Sequence, residues 1–254
     1  MDVTVASRTG RSRPASEDRW VAVTRGSGLL LAVADGMGGT VGGAAAAGAA
    51  LAGLLDRLEA APDLTAAVAA AHERVRALAP DGMPVPLRPG TTLTAAVLSG
   101  RRLQLAHLGD SSCWLVRRGR LRRLTEEHTH AAALVAAGAV EPGSVAQRRL
   151  DGLLTRYAGM PGPACPQLAT SRLRPGDRLL VATDGVTRAL PVAQLAALLA
   201  RPGIVAGDLV RAAADAGGRD DATALLLAVP AEATGDMDTV ALPENTQYVA
   251  EGVR

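Results

Sequence analysis

The sequence lacks lysine and phenylalanine entirely, so its 27 basic residues are all arginine. A P-loop, a kinase phosphate clamp and a Schiff-base nucleophile each require a lysine amine. The absence of lysine therefore excludes these three kinds of site. The accompanying excess of alanine, glycine and arginine resembles genome-level codon bias, and no function follows from it.

Cysteine is almost as scarce, since Cys113 and Cys165 are the only two and lie far apart. This spacing argues against a disulfide framework and a structural zinc site, and we expect a reducing, cytoplasmic setting. A cysteine-dependent phosphatase needs an arginine six positions after its cysteine, whereas Gly119 and Ser171 stand at those positions. The Gly-x-Ser-x-Gly elbow of serine hydrolases is missing as well.

Long runs of like charge or of apolar residues are also missing. The formal net charge is only +2, and no arginine run is long enough to indicate a nucleic-acid binder. No apolar stretch approaches the ~20 residues that span a bilayer, and the charges within residues 1–20 argue against a signal peptide. We expect no nucleic-acid partner, no membrane span and a monomer in the cytoplasm.

What the chain does have is enough apolar material for one compact domain, because 48% of its 254 residues are hydrophobic. After Pro230 the composition becomes polar and acidic, and the apolar periodicity ends. The sequence therefore predicts a domain over residues 1–230 and a flexible polar tail over residues 231–254.

The most informative stretch is Leu29–Gly39, in which an apolar run suited to a buried strand is followed by Asp35-Gly36. We expect the strand to end there in a glycine-rich turn that presents the Asp35 carboxylate and exposes the Gly36 carbonyl. Both are hard oxygen ligands for a divalent cation. Taken alone, the same stretch also fits an ordinary β-turn after a core strand.

The same arrangement recurs at Gly109-Asp110 and at Asp184-Gly185, and it appears in reverse where Asp220 precedes an apolar strand. Alternating apolar residues predict consecutive antiparallel strands from Thr91 to Val116, joined by turns at Ser99-Gly100 and Gly109-Asp110. If strand ends share a sheet edge, these carboxylates converge. Divalent cations would offset their mutual repulsion, and an oxygen-only ligand set favours magnesium, manganese or calcium over zinc.

Helices are predicted where apolar residues recur at three and four positions, notably at Val41–Leu58 and Leu64–Leu78 with a break at Pro62-Asp63. A capped helix is expected over Thr125–Gly138. The following segment, Ala139–Gly162, is irregular and contains several arginines, so we expect a mobile loop.

Taken together, these segments resemble the PPM family of metal-dependent, type 2C Ser/Thr protein phosphatases, in particular its bacterial members. The resemblance covers residues 1–230, and its motifs are specific as a set rather than singly. The matching segments are, in the family's order, Arg13-x-x-x-Glu17-Asp18, Asp35-Gly36-Met37-Gly38-Gly39, Gly90-Thr91-Thr92, Gly109-Asp110-Ser111, Thr125-Glu126-Glu127-His128, Leu154-Thr155-Arg156, Ala182-Thr183-Asp184-Gly185 and Asp220-Asp221-Ala222-Thr223.

The resemblance implies an α+β fold: a four-layer α-β-β-α sandwich of two antiparallel sheets flanked by helices. It also implies hydrolysis of phosphoserine or phosphothreonine in a protein substrate at a centre of two manganese or magnesium ions between the sheets. By the same resemblance, Asp35 bridges both metals, the Gly36 carbonyl binds one, and Asp184 and Asp220 hold the other. Glu17 reaches the metals directly or through water.

Two further residues carry roles by the same resemblance. Arg13 matches the arginine that binds the substrate phosphate, and Asp110 matches a carboxylate that, with Asp184, can hold a third ion. From the residues alone, Arg13 also fits an ordinary surface arginine, and Asp110 a simple turn residue.

Departures from the family pattern leave the substrate class open. Asp221 replaces the usual asparagine, as in serine phosphatases of bacterial partner-switching systems, and Ser16 stands where asparagine is usual. Met37 stands where many eukaryotic members have histidine, and a thioether cannot donate a proton to a leaving group. The alternative to an enzyme is an inactive, phosphatase-like scaffold that binds a phosphorylated partner. Retention of Asp35, Asp184 and Asp220 argues against it.

Overall fold

In the computed structural model, which describes residues 1–25, 28–37 and 42–231, the chain folds into an α+β sandwich. The predicted tail lies outside the described residues from position 232 onward. The strands are β1 (Asp2–Arg8), β2 (Asp18–Arg25), β3 (Gly28–Met37), β4 (Gly90–Thr91), β5 (Leu93–Ser99), β6 (Arg102–Leu108), β7 (Ser112–Arg117), β8 (Arg120–Arg123), β9 (Gln167–Arg172), β10 (Arg178–Ala182) and β11 (Ala222–Ala228). The helices are α1 (Gly43–Ala60), α2 (Leu64–Arg76), α3 (His130–Ala136), α4 (Val145–Leu150), α5 (Asp184–Thr187), α6 (Val192–Ala200) and α7 (Ala206–Asp215).

The strands form two antiparallel sheets. One sheet has the order β1-β11-β10-β7-β8, and the other has the order β2-β3-β5-β6-β9 with the short β4 added to β3. Helices α1 and α2 cover the β3 sheet, and α5, α6 and α7 cover the β11 sheet. None of the helices in the described part of the chain is long and apolar enough to cross a membrane.

Alternation along the central strands explains the layering, because successive side chains of a strand point to opposite faces. On β3, Leu30 and Ala32 pack against α1 and α2, whereas Leu29, Leu31 and Val33 pack against the other sheet. Both faces of the sheet are therefore buried. A third apolar cluster joins the β11 sheet to α6 and α7, which gives the four layers and confirms the predicted fold class.

The helix pair α1 and α2 packs through small side chains. Asp63 caps α2 by accepting a hydrogen bond from the Ala66 amide at 3.1 Å, which agrees with the predicted break at Pro62-Asp63. A Cβ atom on Gly53 of α1 would lie only 2.9 Å from the Cα atom of Ala71 on α2. The close approach of the two helices therefore requires glycine at this position.

The predicted continuous meander is wrong at its last turn. Strands β5 and β6 do pair, but β6 continues to β9 while β7 pairs with β8 and β10 in the other sheet. The Gly109-Asp110 turn is thus a crossover between the sheets. Gly109 has a φ of +107°, a conformation that glycine adopts without strain. A glycine turn gives the same signal in the sequence whether the chain forms a hairpin or passes to the other sheet.

Other boundaries also differ from the prediction. Strand β3 does not end at Asp35 but continues to Met37, because Gly36 and Met37 pair with β4. The helix expected from Thr125 begins only at His130, where the Thr129 hydroxyl accepts a hydrogen bond from the Ala132 amide. The segment expected to be irregular contains α4, and the edge strand β9 was not predicted.

Gly53 in α1 and Gly207 in α7 should respond oppositely to substitution by alanine. Gly53→Ala forces a methyl group against the α2 backbone and should destabilise the fold by about 1–3 kcal/mol. Gly207→Ala in α7 meets nothing within 4 Å, and better helix propensity should make it neutral or stabilising by up to about 1 kcal/mol. Chemical denaturation of both variants measures the difference, and equal shifts would contradict the assigned helix packing.

Candidate active site

A cleft of about 780 Å³ opens where the ends of the two sheets meet. It contains every side chain or carbonyl that the sequence predicted for the site. These residues are Arg13, Glu17, Asp35, Gly36, Asp110, Asp184 and Asp220. Asp35 comes from β3, Asp110 from the crossover turn, and Asp184 and Asp220 from the ends of β10 and β11 in the other sheet. The four aspartates therefore converge from both sheets and not, as predicted, from the shared edge of one meander.

Asp35 is fixed by its backbone on both sides. Its amide donates to the Thr92 hydroxyl at 2.9 Å, while its carbonyl accepts from the Thr92 amide and from the Thr91 hydroxyl, each at 2.9 Å. Across the β2–β3 ladder, Asp35 lies directly opposite Asp18. The two threonines thereby hold the Asp35 side chain in the cleft at a defined position.

Gly36 lies where β3 meets the start of α1. A Cβ atom on Gly36 would overlap the carbonyl of Gly43, and one on Gly43 would come within 2.6 Å of the Glu17 carboxylate. Only glycine permits this close approach of backbone to backbone. The paired glycines therefore bring the Asp35-Gly36 segment, the α1 N-terminus and Glu17 together.

Asp18 lies within one of the matching segments, but the sequence alone predicts no role for it. Its side chain is only 3% exposed, and its Oδ2 accepts hydrogen bonds from the Thr183 hydroxyl at 2.8 Å and the Thr223 hydroxyl at 2.7 Å. Asp18 belongs to one sheet, and both threonines lie at strand ends of the other. The carboxylate therefore joins the two sheets beneath the cleft.

The crossover turn that carries Asp110 is held by two stacked imidazoles. The His107 and His128 rings lie 4.8 Å apart between centroids. His107 donates from Nε2 to the Gly109 carbonyl at 2.9 Å, its Nδ1 lies 2.8 Å from the Thr94 hydroxyl, and His128 Nδ1 accepts from the Gly109 amide at 3.2 Å. The last of these contacts requires a neutral His128 ring, and burial favours the neutral form of His107 as well.

Asp184 begins α5 directly after β10, so the predicted turn is a short helix. A Cβ atom on Gly185 would overlap the Asp221 carbonyl, which explains the glycine next to this aspartate. Four residues further on, the Arg188 guanidinium forms ion pairs with both Asp184 and Asp110. Arg188 was not among the predicted site residues, although its spacing of four from Asp184 is a signal in the sequence.

The loop before β2 presents Arg13 to the cleft. Arg13 pairs with Glu17 and, at 3.0 Å, with Asp220. The buried Asp221 holds this loop, since one of its oxygens accepts from the Gly10 amide at 2.7 Å and the other from the Glu17 amide at 2.8 Å. The departure from the family's asparagine thus has a structural role: both oxygens accept backbone hydrogen bonds.

The clustered carboxylates raise one another's pKa values. Burial raises the pKa of Asp35 well above its ordinary value, and the charges of Asp18 and Asp184 raise it further. Burial is also the main cause that raises the pKa of Asp18 and of Asp110 to about 7; Asp184 raises the latter and Arg188 lowers it. Such a cluster is stable in its ionised form only with nearby positive charge.

Hard divalent cations fit the donor chemistry of this cleft, because its ligating atoms are oxygens. Within the described residues, Asp18 Oδ1 and Asp184 Oδ1 are buried without a hydrogen-bond partner. No group of three His, Cys, Asp or Glu side chains in residues 1–25, 28–37 and 42–231 already has the arrangement of a metal site. The Arg13 and Arg188 ion pairs supply positive charge there instead, so side chains must adjust when a cation binds.

Comparison with known proteins agrees with this geometry. The sequence profile of the family described as "Protein phosphatase 2C" matches residues 9–204. The chain belongs to the protein phosphatase 2C family. Among relatives of this 2C-type chain, the serine/threonine protein phosphatase PstP of Mycobacterium tuberculosis is 34% identical over 234 residues. That match covers 87% of this chain but 43% of PstP, so the chain spans less than half the length of this relative.

Solved structures show the same fold as the 2C-type chain. The crystal structure of the Mycobacterium tuberculosis phosphatase PstP/Ppp is similar with a TM-score of 0.79 and 31% identity, covering 90% of this chain and 98% of that one. The catalytic domain of PstP in complex with two manganese ions is similar with a TM-score of 0.76 and 31% identity, covering 90% and 97%.

His107 and His128 should stay neutral at pH values well below the usual pKa of histidine. Burial lowers the pKa of His107 to about 3 and that of His128 to about 4. In the unfolded chain, histidine has a pKa of about 6.5. The stabilisation that comes from burying the two neutral rings is therefore fully present above about pH 6.5, and it is lost as the pH falls towards 4. Imidazole ¹H NMR signals of both should be unchanged from pH 8 to pH 5. A titration midpoint near ~6.5 for either ring would contradict the packing of the crossover turn.

Asp221→Asn should weaken the loop that carries Arg13. An asparagine amide group would face a backbone N–H that now donates to a carboxylate oxygen, which leaves a buried donor unpaired at a cost of about 1–3 kcal/mol. We expect a lower unfolding midpoint in denaturant. Asp56→Asn, on an exposed residue of α1, is the matched control and should change little. If the two variants unfold at the same midpoint, the anchoring role of Asp221 is wrong.

Proposed function

We propose that this chain is a metal-dependent protein phosphatase that removes phosphate from phosphoserine and phosphothreonine in protein substrates. The observation that carries the proposal is the convergence of Asp35, Asp110, Asp184 and Asp220 from both sheets into one cleft, with Arg13 beside them. Family membership supports the reaction class.

The proposed metal centre uses the carboxylates of Asp35, Asp184 and Asp220 together with the Gly36 carbonyl, with Glu17 in direct or water-mediated reach. Two manganese or magnesium ions held there would lower the pKa of a water molecule and so supply the nucleophile at neutral pH. The related PstP catalytic domain was solved with two manganese ions, which supports this number. Asp35 is proposed to bridge them because it is surrounded by the other carboxylates.

Arg13 is proposed to bind the substrate phosphate, since a guanidinium can form two parallel hydrogen bonds to phosphate oxygens. Its ion pairs with Glu17 and Asp220 hold it beside the proposed metal ligands. Binding of cations by these two acids would free the guanidinium for phosphate. The proton for the leaving alkoxide must come from a group other than Met37, because a thioether has no proton to donate.

The substrate is proposed to be a phosphorylated protein, and the catalytic unit is proposed to span residues 1–230. A monomer in the cytoplasm remains our expectation. Charged side chains, Arg13 and the proposed metal-binding acids among them, line the cleft, which suits a phosphorylated side chain presented on a peptide. Selectivity between serine and threonine would depend on the walls of the cleft, including Gly152 and Leu154.

Asp35→Asn should abolish most turnover of a phosphothreonine peptide, because it would weaken the ligand that both ions are proposed to share. Asp110→Asn should have a much smaller effect. The activities of both variants are measured as initial rates of phosphate release, with added manganese and with a chelator. We expect a loss of about 10²–10³-fold for Asp35→Asn, the range typical of removing one electrostatic catalytic group.

Asp56→Asn is again the control, because this exposed acid lies on α1 outside the cleft. Turnover that persists in chelator, or an Asp35→Asn variant as fast as wild type, would defeat the metal-dependent mechanism. A folded, manganese-loaded wild type that binds the phosphopeptide but turns over no phosphate ester would instead indicate the scaffold function.

A further inference from the structure

Arg188 lies between two of the cleft's buried carboxylates. One guanidinium nitrogen is 2.6 Å from Asp110 Oδ2, and the other terminal nitrogen is 2.9 Å from Asp184 Oδ2. Both aspartate side chains are under 10% exposed. The guanidinium is therefore the positive charge that directly compensates this pair.

The third partner of Arg188 fixes its position. The same nitrogen that contacts Asp110 donates a hydrogen bond to the Asp151 carbonyl at 2.7 Å. Asp151 directly follows α4, the short helix within the segment that the sequence predicted to be mobile. Arg188 is also anchored through its own amide, which donates to the Asp184 carbonyl at 2.7 Å. Arg188 is thus fixed both at its backbone and at its guanidinium group.

Electrostatic repulsion prevents Arg188 and a divalent ion from binding the same two carboxylates together. Burial raises the pKa values of both Asp110 and Asp184, and the Arg188 charge lowers both. A divalent ion bound by the same two carboxylates would have to share them with a guanidinium at contact distance, and two cations repel at that separation. An ion could enter only if Arg188 left Asp110, Asp184 and the Asp151 carbonyl together.

We propose that Arg188 is an internal cation that occupies the position between Asp110 and Asp184 and keeps a third divalent ion from binding there. The inference rests on the proposed function only in counting this ion as the third, after the two proposed at Asp35. It assigns Asp110 a different role from the one implied by the family resemblance: Asp110 binds a side chain of its own protein rather than a metal. The contact with Asp151 also connects the α4 segment to the metal edge of the cleft.

The number of manganese ions bound per chain tests this proposal. Equilibrium dialysis against Mn²⁺ with metal analysis should give one more ion for Arg188→Ala than for wild type. The double variant Arg188→Ala/Asp110→Asn should return to the wild-type number, because it removes a ligand of the position that was opened. Arg211→Ala is the matched control, since Arg211 forms an exposed pair with Asp208 on α7 and should leave the count unchanged.

Thermal unfolding gives a second readout that does not depend on turnover. In chelator, Arg188→Ala should unfold at a lower temperature than wild type, because two buried carboxylates lose their counter-charge. Added Mn²⁺ should raise its midpoint more than that of wild type. Arg188→Gln keeps a donor for the Asp151 carbonyl without the charge, and it serves in both experiments if the alanine variant does not fold.

The outcomes separate the two proposals. The difference in ion count between variant and wild type tests Arg188, whereas the wild-type count itself tests the metal centre. An equal count in wild type, Arg188→Ala and Arg188→Gln would overturn the role of Arg188, whatever that count is. An extra ion that persists in the double variant would also overturn it. A wild type that binds no manganese would overturn the proposed function, and one extra ion in the variant would still support the role of Arg188.

Discussion

Repulsion among buried carboxylates is the constraint on which the rest of this structure depends. Asp18, Asp35, Asp110 and Asp184 meet where two sheets end, and each has a pKa raised first by burial. A fold gains nothing in stability from such a cluster, since removing charges from water is costly unless opposite charge is near. The surrounding structure supplies that charge through Arg13 and Arg188, and two threonine hydroxyls donate hydrogen bonds to Asp18.

The backbone around the cleft is arranged to bring these acids close. Glycines at positions 36, 43 and 185 permit main-chain approaches that any side chain would block, and Asp221 ties the Arg13 loop to the start of β11 through two amides. The rigid parts are thus the sheets and their ends. Arg13 is the adjustable part, because its ion pairs with Glu17 and Asp220 can exchange partners while backbone hydrogen bonds remain. A cleft built in this way can accept cations without refolding.

Much of this could be predicted from the sequence because strand periodicity and aspartate-glycine pairs are local signals. The apolar run into Asp35 and the strand before Asp184 were recovered from these signals, and the fold class from the family resemblance. The crossover at Gly109 could not be, since the same glycine turn serves a hairpin or a change of sheet. Asp18 resembled a solvated surface acid until the opposite sheet placed two threonine hydroxyls against it. Arg188 stayed hidden because its partner Asp110 is 78 residues away in the chain.

The most direct test of the account is anomalous diffraction from a crystal of the protein grown in manganese. The account predicts two manganese peaks roughly 3.5–4 Å apart in the cleft, both in contact with Asp35, and the Arg188 guanidinium still bound to Asp110. A cleft without manganese peaks, or a single peak that does not touch Asp35, would contradict the claim that these carboxylates converge to share divalent ions.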